Sequence, residues 1–455
     1  MSEREIQERL REFSRRDVLR WGVGAAATFS VIDLIAACGG TTTPDAGNGA
    51  FKTDPAKTVQ LVYAAPTEDS GTTTRLVSAW NAANPKTQVT YQAMPKTSAD
   101  THTQLVAALT SKSPTPDVMD VDVIWPGEFA SAKWVQPLDP FLSDTFKKAL
   151  FDSAIHAGTF KGKIYGVQRW YDSGQMYYRT DLLQKYSVTV PKTTDELLAA
   201  AKKIQDGERG SDPNFYGWIF PGAKIEALFD HFMELLWSTG DEVVDKNNKI
   251  QVNTANGLRA AQFMYDSVYT NKISPPGTST YKPADLNNQF QQGHAAFMRN
   301  WQFAWALVDD PKVSKAAGKV SLAALPSLSS GKAGTGCTGG WMVTINANSV
   351  APDRAWQFCE YMLGQKTQTQ MATLQSVSPV RPDAFNDPAV QSSQDGFFKL
   401  MAPVLKSTHG RPQISNYTQL SASIQTEFNA MMANQKKPAD ALKAAQAAVD
   451  SIQNS

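Results

Sequence analysis

An α/β fold is predicted by three features of this sequence. Over residues 58–125, stretches with a two-residue apolar period alternate with stretches of helical period. Each strand-to-strand connection there is long enough to hold a helix, which implies parallel strands with sites at their carboxyl ends. A chain of 455 residues, 42% hydrophobic and 10% aromatic, also carries enough apolar material for two or three domain cores.

The elements follow in order. Val59-Gln60-Leu61-Val62-Tyr63 alternates as a strand, and Pro66 to Gly71 is a turn feeding an amphipathic helix from Thr73 to Asn84, stopped by Asn84-Pro85. Gln88 to Met94 is a second strand. His102 to Ser111 is a second helix with Leu105, Val106 and Leu109 turned inward. The third strand is Val118 to Ile124, a β-branched apolar run between Pro116 and Pro126-Gly127. Aspartates at 117, 120 and 122 mark it, and a carboxylate resists burial unless it is paired. Asp122, followed by Trp125 at the strand's exit, either faces a cleft or caps the next turn; the local pattern leaves both readings open. Gly162 to Val167 reads as a further strand, Ala223 to Thr239 and Thr254 to Tyr269 as helices, and Val320 to Pro326 and Trp341 to Ile345 as strands. Pro352 to Leu363, Ser415 to Ala433 and Ala439 to Ile452 read as helices.

The amino terminus carries a different signal. Ser14-Arg15-Arg16-Asp17-Val18-Leu19-Arg20 precedes a weakly apolar run rich in Ala and Gly, which ends in Ile35-Ala36-Ala37-Cys38-Gly39. This resembles a twin-arginine export signal closing in a lipobox. The resemblance implies export in a folded state, cleavage before Cys38 and lipid on its thiol, anchoring the protein to the outer face of the cytoplasmic membrane. A spanning helix does not fit, because the apolar run falls short of the ~20 residues a span needs and Asp33 follows it. Residues 1–37 are thus a signal. Residues 38–56, rich in Gly, Thr and Pro, have nothing to bury and form a flexible tether. Removing the signal takes six basic and six acidic residues and leaves 38 against 37. That balance argues against nucleic acid as a partner.

Ile164 to Leu183 resembles the crossover into the second lobe of the extracellular solute-binding proteins of carbohydrate ABC importers. So do Asp117 to Leu138, the run Phe290 to Trp301 and Gly339-Gly340-Trp341, with the nearest likeness to the trehalose/maltose-binding branch. The resemblance implies two α/β lobes joined by several crossings with the ligand between them, one of 57–167 plus 337–385 and the other of 168–336 plus 386–455. It implies capture of a sugar, such as trehalose or maltose, by a monomer that needs no cofactor and delivers to ABC permease subunits.

Sugar chemistry and the resemblance together nominate the site. A sugar offers hydroxyls to carboxylates and arginine, and an apolar C–H face to an aromatic ring. Asp122 and Asp172 match sugar-binding carboxylates, one from each lobe. Glu68 and Glu226 are further candidates, although Glu226 also suits the first turn of a helix, where the dipole favours an acid. Trp301 and Trp341 match aromatic platforms, with Gly340 admitting close backbone approach, and Arg411 matches a C-terminal arginine. Trp301 equally suits core packing among Phe297, Phe303 and Trp305, and Arg411 a surface position. Trp125 is a secondary wall of the cleft. Where the family often carries charged ligands, the segment between the second and third strands offers His102 as the matching candidate, and the stretch around Leu325-Pro326 has no charged residue.

Competing functions are poorly served. A glycoside hydrolase would use paired carboxylates such as Asp122 and Asp172, yet no carboxylate sits in a stretch apolar enough to make it a general acid. No H-E-x-x-H, G-x-S-x-G or P-loop pattern occurs. A surface adhesin would need an open, extended platform. Cys337 and Cys359 are expected to stay unpaired. The strand after Cys337 runs about 30 Å and the helix to Cys359 returns only about 9 Å, beyond the ~7 Å limit of a bridge.

Overall fold

The computed structural model of the protein describes residues 52–247 and 249–454. The signal, Cys38 and the tether up to residue 51 lie outside the described residues. Chain order begins β1 (Val59–Pro66), α1 (Thr72–Ala83), β2 (Thr87–Met94), α2 (Ser98–Thr110), β3 (Val118–Asp122), β4 (Val167–Gln168), β5 (Asp172–Ser173) and β6 (Gln175–Arg179). It continues α3 (Thr194–Glu208), β7 (Tyr216–Ile219), α4 (Glu226–Trp237), α5 (Ala255–Tyr269), β8 (Ala295–Asn300), β9 (Val320–Ala323), β10 (Gly336–Gly339) and β11 (Trp341–Ile345). Helices α6 (Pro352–Met362), α7 (Tyr417–Met432) and α8 (Pro438–Gln453) follow, with further helices between.

Two sheets organise these elements into a two-lobed α/β fold. The first has the order β2-β1-β3-β11-β4, and β1 runs parallel to β2 and β3 as the helical connections require. Strand β11 then enters antiparallel from far along the chain, pairing Trp341 with Asp122. The second sheet has the order β9-β6-β8-β7. Small strands β10 and β5 pair between the two, setting Gly339 opposite Asp172.

Packing explains why the chain folds this way. Tyr63, Trp80 and Phe358 pack edge to face between β1, α1 and α6, at ring separations of 5.1 and 5.5 Å. Helix α4 is buried on every side after its first residue, because α5 and α7 pack against it. Its Leu228, Phe229 and Phe232 are fully enclosed, and each such side chain contributes ~1.5–3 kcal/mol by leaving water. Among the described residues no helix is long and apolar enough to cross a membrane. Cys337 and Cys359 are free and buried, as expected.

One expected strand breaks in two. Instead of running from Gly162 to Val167, the chain forms a short hairpin, Thr159–Phe160 with Lys163–Ile164, and then β4 at the edge of the first sheet. The break lies at Tyr165-Gly166, and the Gly166 carbonyl oxygen passes so close to Gly158 that a Cβ on Gly158 would fall 1.9 Å away. Helix α4 also starts later than its apolar run, since Ile225 is extended and Glu226 opens the helix.

Candidate functional site

Strand β3 delivers Asp122 at its carboxyl end, the position an α/β sheet reserves for ligands. Asp122 caps the next turn and also meets two distant side chains. Oδ1 accepts from the Ile124 N–H at 3.3 Å as a turn cap, and from Arg411 Nη2 at 2.9 Å; Oδ2 accepts from Ser98 Oγ at 2.7 Å. Arg411 is buried, not a surface arginine, and three carboxylates surround it. Besides Asp122 they are Glu226 at 3.4 Å and Asp230 at 3.8 Å. Burial opposes its charge, but these carboxylates hold its pKa well above the usual value.

Glu226 opens α4, as a first-turn acid does, and is also the hub joining α4 to α7. Its oxygens accept from Tyr417 OH at 2.7 Å, Ser421 Oγ at 2.5 Å and Gln425 Nε2 at 3.0 Å. Asp230 lies one turn further along and receives the Cys337 thiol at 3.4 Å. Burial pushes the Asp230 carboxyl up and Arg411 restrains it only in part. Glu234, another turn on, holds Arg299 through bonds of 2.9 and 2.5 Å. Burial opposes its ionisation, yet Arg299 and His231 outweigh burial and keep its pKa below the ordinary value. Asp230, Glu234 and Arg299 escaped the sequence reading. The signal of the two acids was legible, because Glu226, Asp230 and Glu234 recur every four residues and form one stripe on α4.

Asp172, in β5, accepts at Oδ1 from the N–H groups of Ser173 at 2.8 Å and Gln302 at 3.0 Å. Burial raises its pKa to about 7 against the pull of those two donors, with Arg299 and Arg411 acting at longer range. The Gln302 bond brings Asp172 beside Trp301. That indole is half-buried, resting on Gly339 and on the Arg299 guanidinium, whose central carbon lies 4.3 Å from the ring centroid. Trp341, opposite Asp122 in the sheet, is half-buried too and meets Trp125 edge to face at 5.5 Å.

Three expectations are revised. Trp125 is only 1% exposed and stacks on Phe129 at 5.6 Å, so it backs Trp341 from within the core instead of walling the cleft. Gly340 has φ +126°, and a Cβ there would fall 2.3 Å from the Trp170 carbonyl oxygen, so the chain crossing itself demands glycine. Glu68 stands apart from the others. Its carboxylate accepts from the Thr73 N–H at 2.9 Å and from Ser70 Oγ, capping the start of α1. The remaining candidates form one continuous arrangement: Glu226, Arg411, Asp122, Trp341, Asp172 and Trp301. His102 is paired with Glu128 at 3.0 Å, and Glu128 also accepts from Thr418 Oγ1.

The model of the bacterial extracellular solute-binding protein family matches residues 64–369. A probable ABC transporter-binding protein of Deinococcus radiodurans is 33% identical over 340 residues, covering 74% of this chain and 79% of that protein. Among solved structures, maltose-bound MalE3 of T. maritima is 30% identical, covers 86% of this chain and 99% of its own, and superposes with a TM-score of 0.80. The GacH receptor of Streptomyces glaucescens, at 24% identity, shares the fold, with a TM-score of 0.74 over 87% of this chain and 97% of its own. These are binding proteins, which sets the hydrolase reading aside. An acid-and-arginine cluster between two sheets, flanked by two tryptophans, in a chain with these relatives, belongs to a bacterial extracellular solute-binding protein.

Proposed function

We propose that the protein captures a sugar, an α-linked disaccharide such as trehalose or maltose, by closing two lobes over it and delivers it to an ABC permease. The observation that carries this reading is the Asp122–Arg411 ion pair of 2.9 Å. It ties the end of the first sheet to the segment leading into α7, which packs on the helices of the second lobe. Residues that can grip hydroxyls from both sides therefore meet at one point, with the half-buried indole of Trp341 opposite Asp122 in the sheet. Maltose bound to the T. maritima relative supports the choice of sugar. A ligand touching both lobes binds the closed state better than the open one and shifts the population towards it, and the permease recognises that form.

The proposed lobes are 57–167 with 337–385 and 168–336 with 386–455. All four strands of the second sheet fall in the latter set, while β4 straddles the boundary in the first sheet. Lipid on Cys38 would hold the protein at the outer face of the cytoplasmic membrane, as a monomer; the supporting feature is Ala36-Ala37-Cys38 after paired arginines.

Calorimetry with a panel of α-linked disaccharides tests the reading. One-to-one binding without turnover is expected, and product formation from maltose or trehalose would overturn it. Asp172→Ala and Trp301→Ala are each expected to weaken binding at least tenfold, ~1.4 kcal/mol, with the fold intact. Unchanged affinity in both would remove these residues from the site.

A further inference from the structure

The Trp301 ring is supported from beneath by a buried polar chain. Arg299 lies under the indole, Glu234 holds Arg299 through both of its oxygens, and the Cys337 N–H and His231 Nδ1 reach the same carboxylate at 3.1 and 3.3 Å. The pair fills its space so completely that a Cβ on Gly174 would fall 1.9 Å from Glu234 Oε1. Beside it is a cavity of about 10 Å³ lined by Thr194, Trp218, His231, Glu234 and Leu325 among others. Two of those lining side chains, His231 and Trp218, each have a buried ring nitrogen without a protein partner, Nε2 and Nε1.

The hydrogen-bond chemistry of these atoms is determined. Glu234, held ionised by Arg299, only accepts, so His231 Nδ1 must carry the proton facing it. Burial holds His231 neutral against the influence of Glu234, which leaves Nε2 a bare acceptor. Trp218 Nε1 only donates. The two rings are 6.0 Å apart between centroids, and no direct bond joins them. One molecule able to accept from Trp218 and donate to His231 satisfies both, and a cavity of ~10–15 Å³ on this measure is about the smallest that admits one water. We propose that a single internal water, bound by His231 Nε2 and Trp218 Nε1, completes a relay through Glu234 and Arg299 that positions Trp301 for its ligand. The water fixes the histidine tautomer, the tautomer keeps Glu234 on Arg299, and Arg299 keeps the ring in place.

The ligand part of this inference rests on the proposed sugar-binding function; the water does not. A crystal structure of the wild-type protein at about 1.5 Å resolution, with nitrogen NMR of the histidines, reads the water directly. Ordered density between His231 and Trp218 and an Nδ1–H tautomer for His231 are expected; a dry cavity or the Nε2–H tautomer overturns the site. Trp218→Phe removes the donor while keeping an aromatic body. With either maltose or trehalose as probe, whichever wild type binds more tightly, it is expected to weaken binding three- to tenfold. Unchanged affinity in a folded Trp218→Phe protein overturns the relay, whereas wild type that binds neither sugar defeats the functional reading and leaves the water test standing.

Discussion

Two aspartates on the same face of β3, two residues apart, each pair with a buried arginine, and the two pairs are built for different purposes. Asp120 meets Arg169 at 2.7 Å and accepts from Tyr63 OH at 2.8 Å; its side chain and that of Arg169 are 0% and 1% exposed. Every partner is anchored in or beside the first sheet. Asp122 meets Arg411 at 2.9 Å across 289 residues, and that arginine is shared with Glu226 and Asp230 of α4. The inner pair is closed off and has one carboxylate for one cation. The outer pair has a surplus of carboxylates and spans two parts of the fold. Equal chemistry and nearly equal burial thus yield a closed ion pair in one case and a shared, carboxylate-rich one in the other, and redundancy of partners is what separates them.

Asp120→Ala breaks the comparison most sharply. Arg169 has no other carboxylate within ion-pair distance among the described residues, so the substitution strands a buried charge, which costs about 3–5 kcal/mol. Urea denaturation is expected to show that loss, with sugar affinity of the folded fraction little altered. Asp122→Ala should invert the pattern. Arg411 keeps Glu226 and Asp230, so stability is expected to fall by only about 1 kcal/mol, while calorimetry shows affinity down about tenfold. Equal stability losses in the two variants would erase the distinction.

The same contrast explains what the sequence made legible. The first sheet begins with strand and helix patterns contiguous over residues 58–125, and local periodicity sufficed to predict its parallel start, β1 to β3, and the place of Asp122. The second sheet is assembled from β6, β7, β8 and β9, short pieces separated by up to about eighty residues. Nothing local in Ala295 to Asn300 announces a strand flanked by 175–179 and 216–219, because its pairing is decided by long-range packing. Asp172, Trp301, Gly340 and Arg411 were therefore reached by resemblance, not by periodicity. Asp230 and Glu234 were missed because, beyond Glu226, α4 was read only for its apolar residues. On a helix buried all round, the polar stripe carries the more specific information.

Asp172 offers the finest test of the comparison, since it lies near two arginines and forms an ion pair with neither. Burial therefore prevails and raises its pKa to about 7, above an ordinary value of 3.8. Between those limits the folded protein holds a proton that the unfolded chain has released. Stability must then fall as pH rises from about 4 to about 7 and level off above, the reverse of a salt-bridged carboxylate. The side chain is only partly enclosed by solvent-accessible area, so the loss after screening is expected to be on the order of 1 kcal/mol. Asp172→Asn preserves an acceptor for the Ser173 and Gln302 N–H groups but cannot ionise. Thermal melts at pH 4.5 and 7.5 are expected to show a larger drop for wild type than for Asp172→Asn. Equal drops would mean that Asp172 is ionised throughout, and that Arg299 or Arg411 serves it as closely as Arg169 serves Asp120.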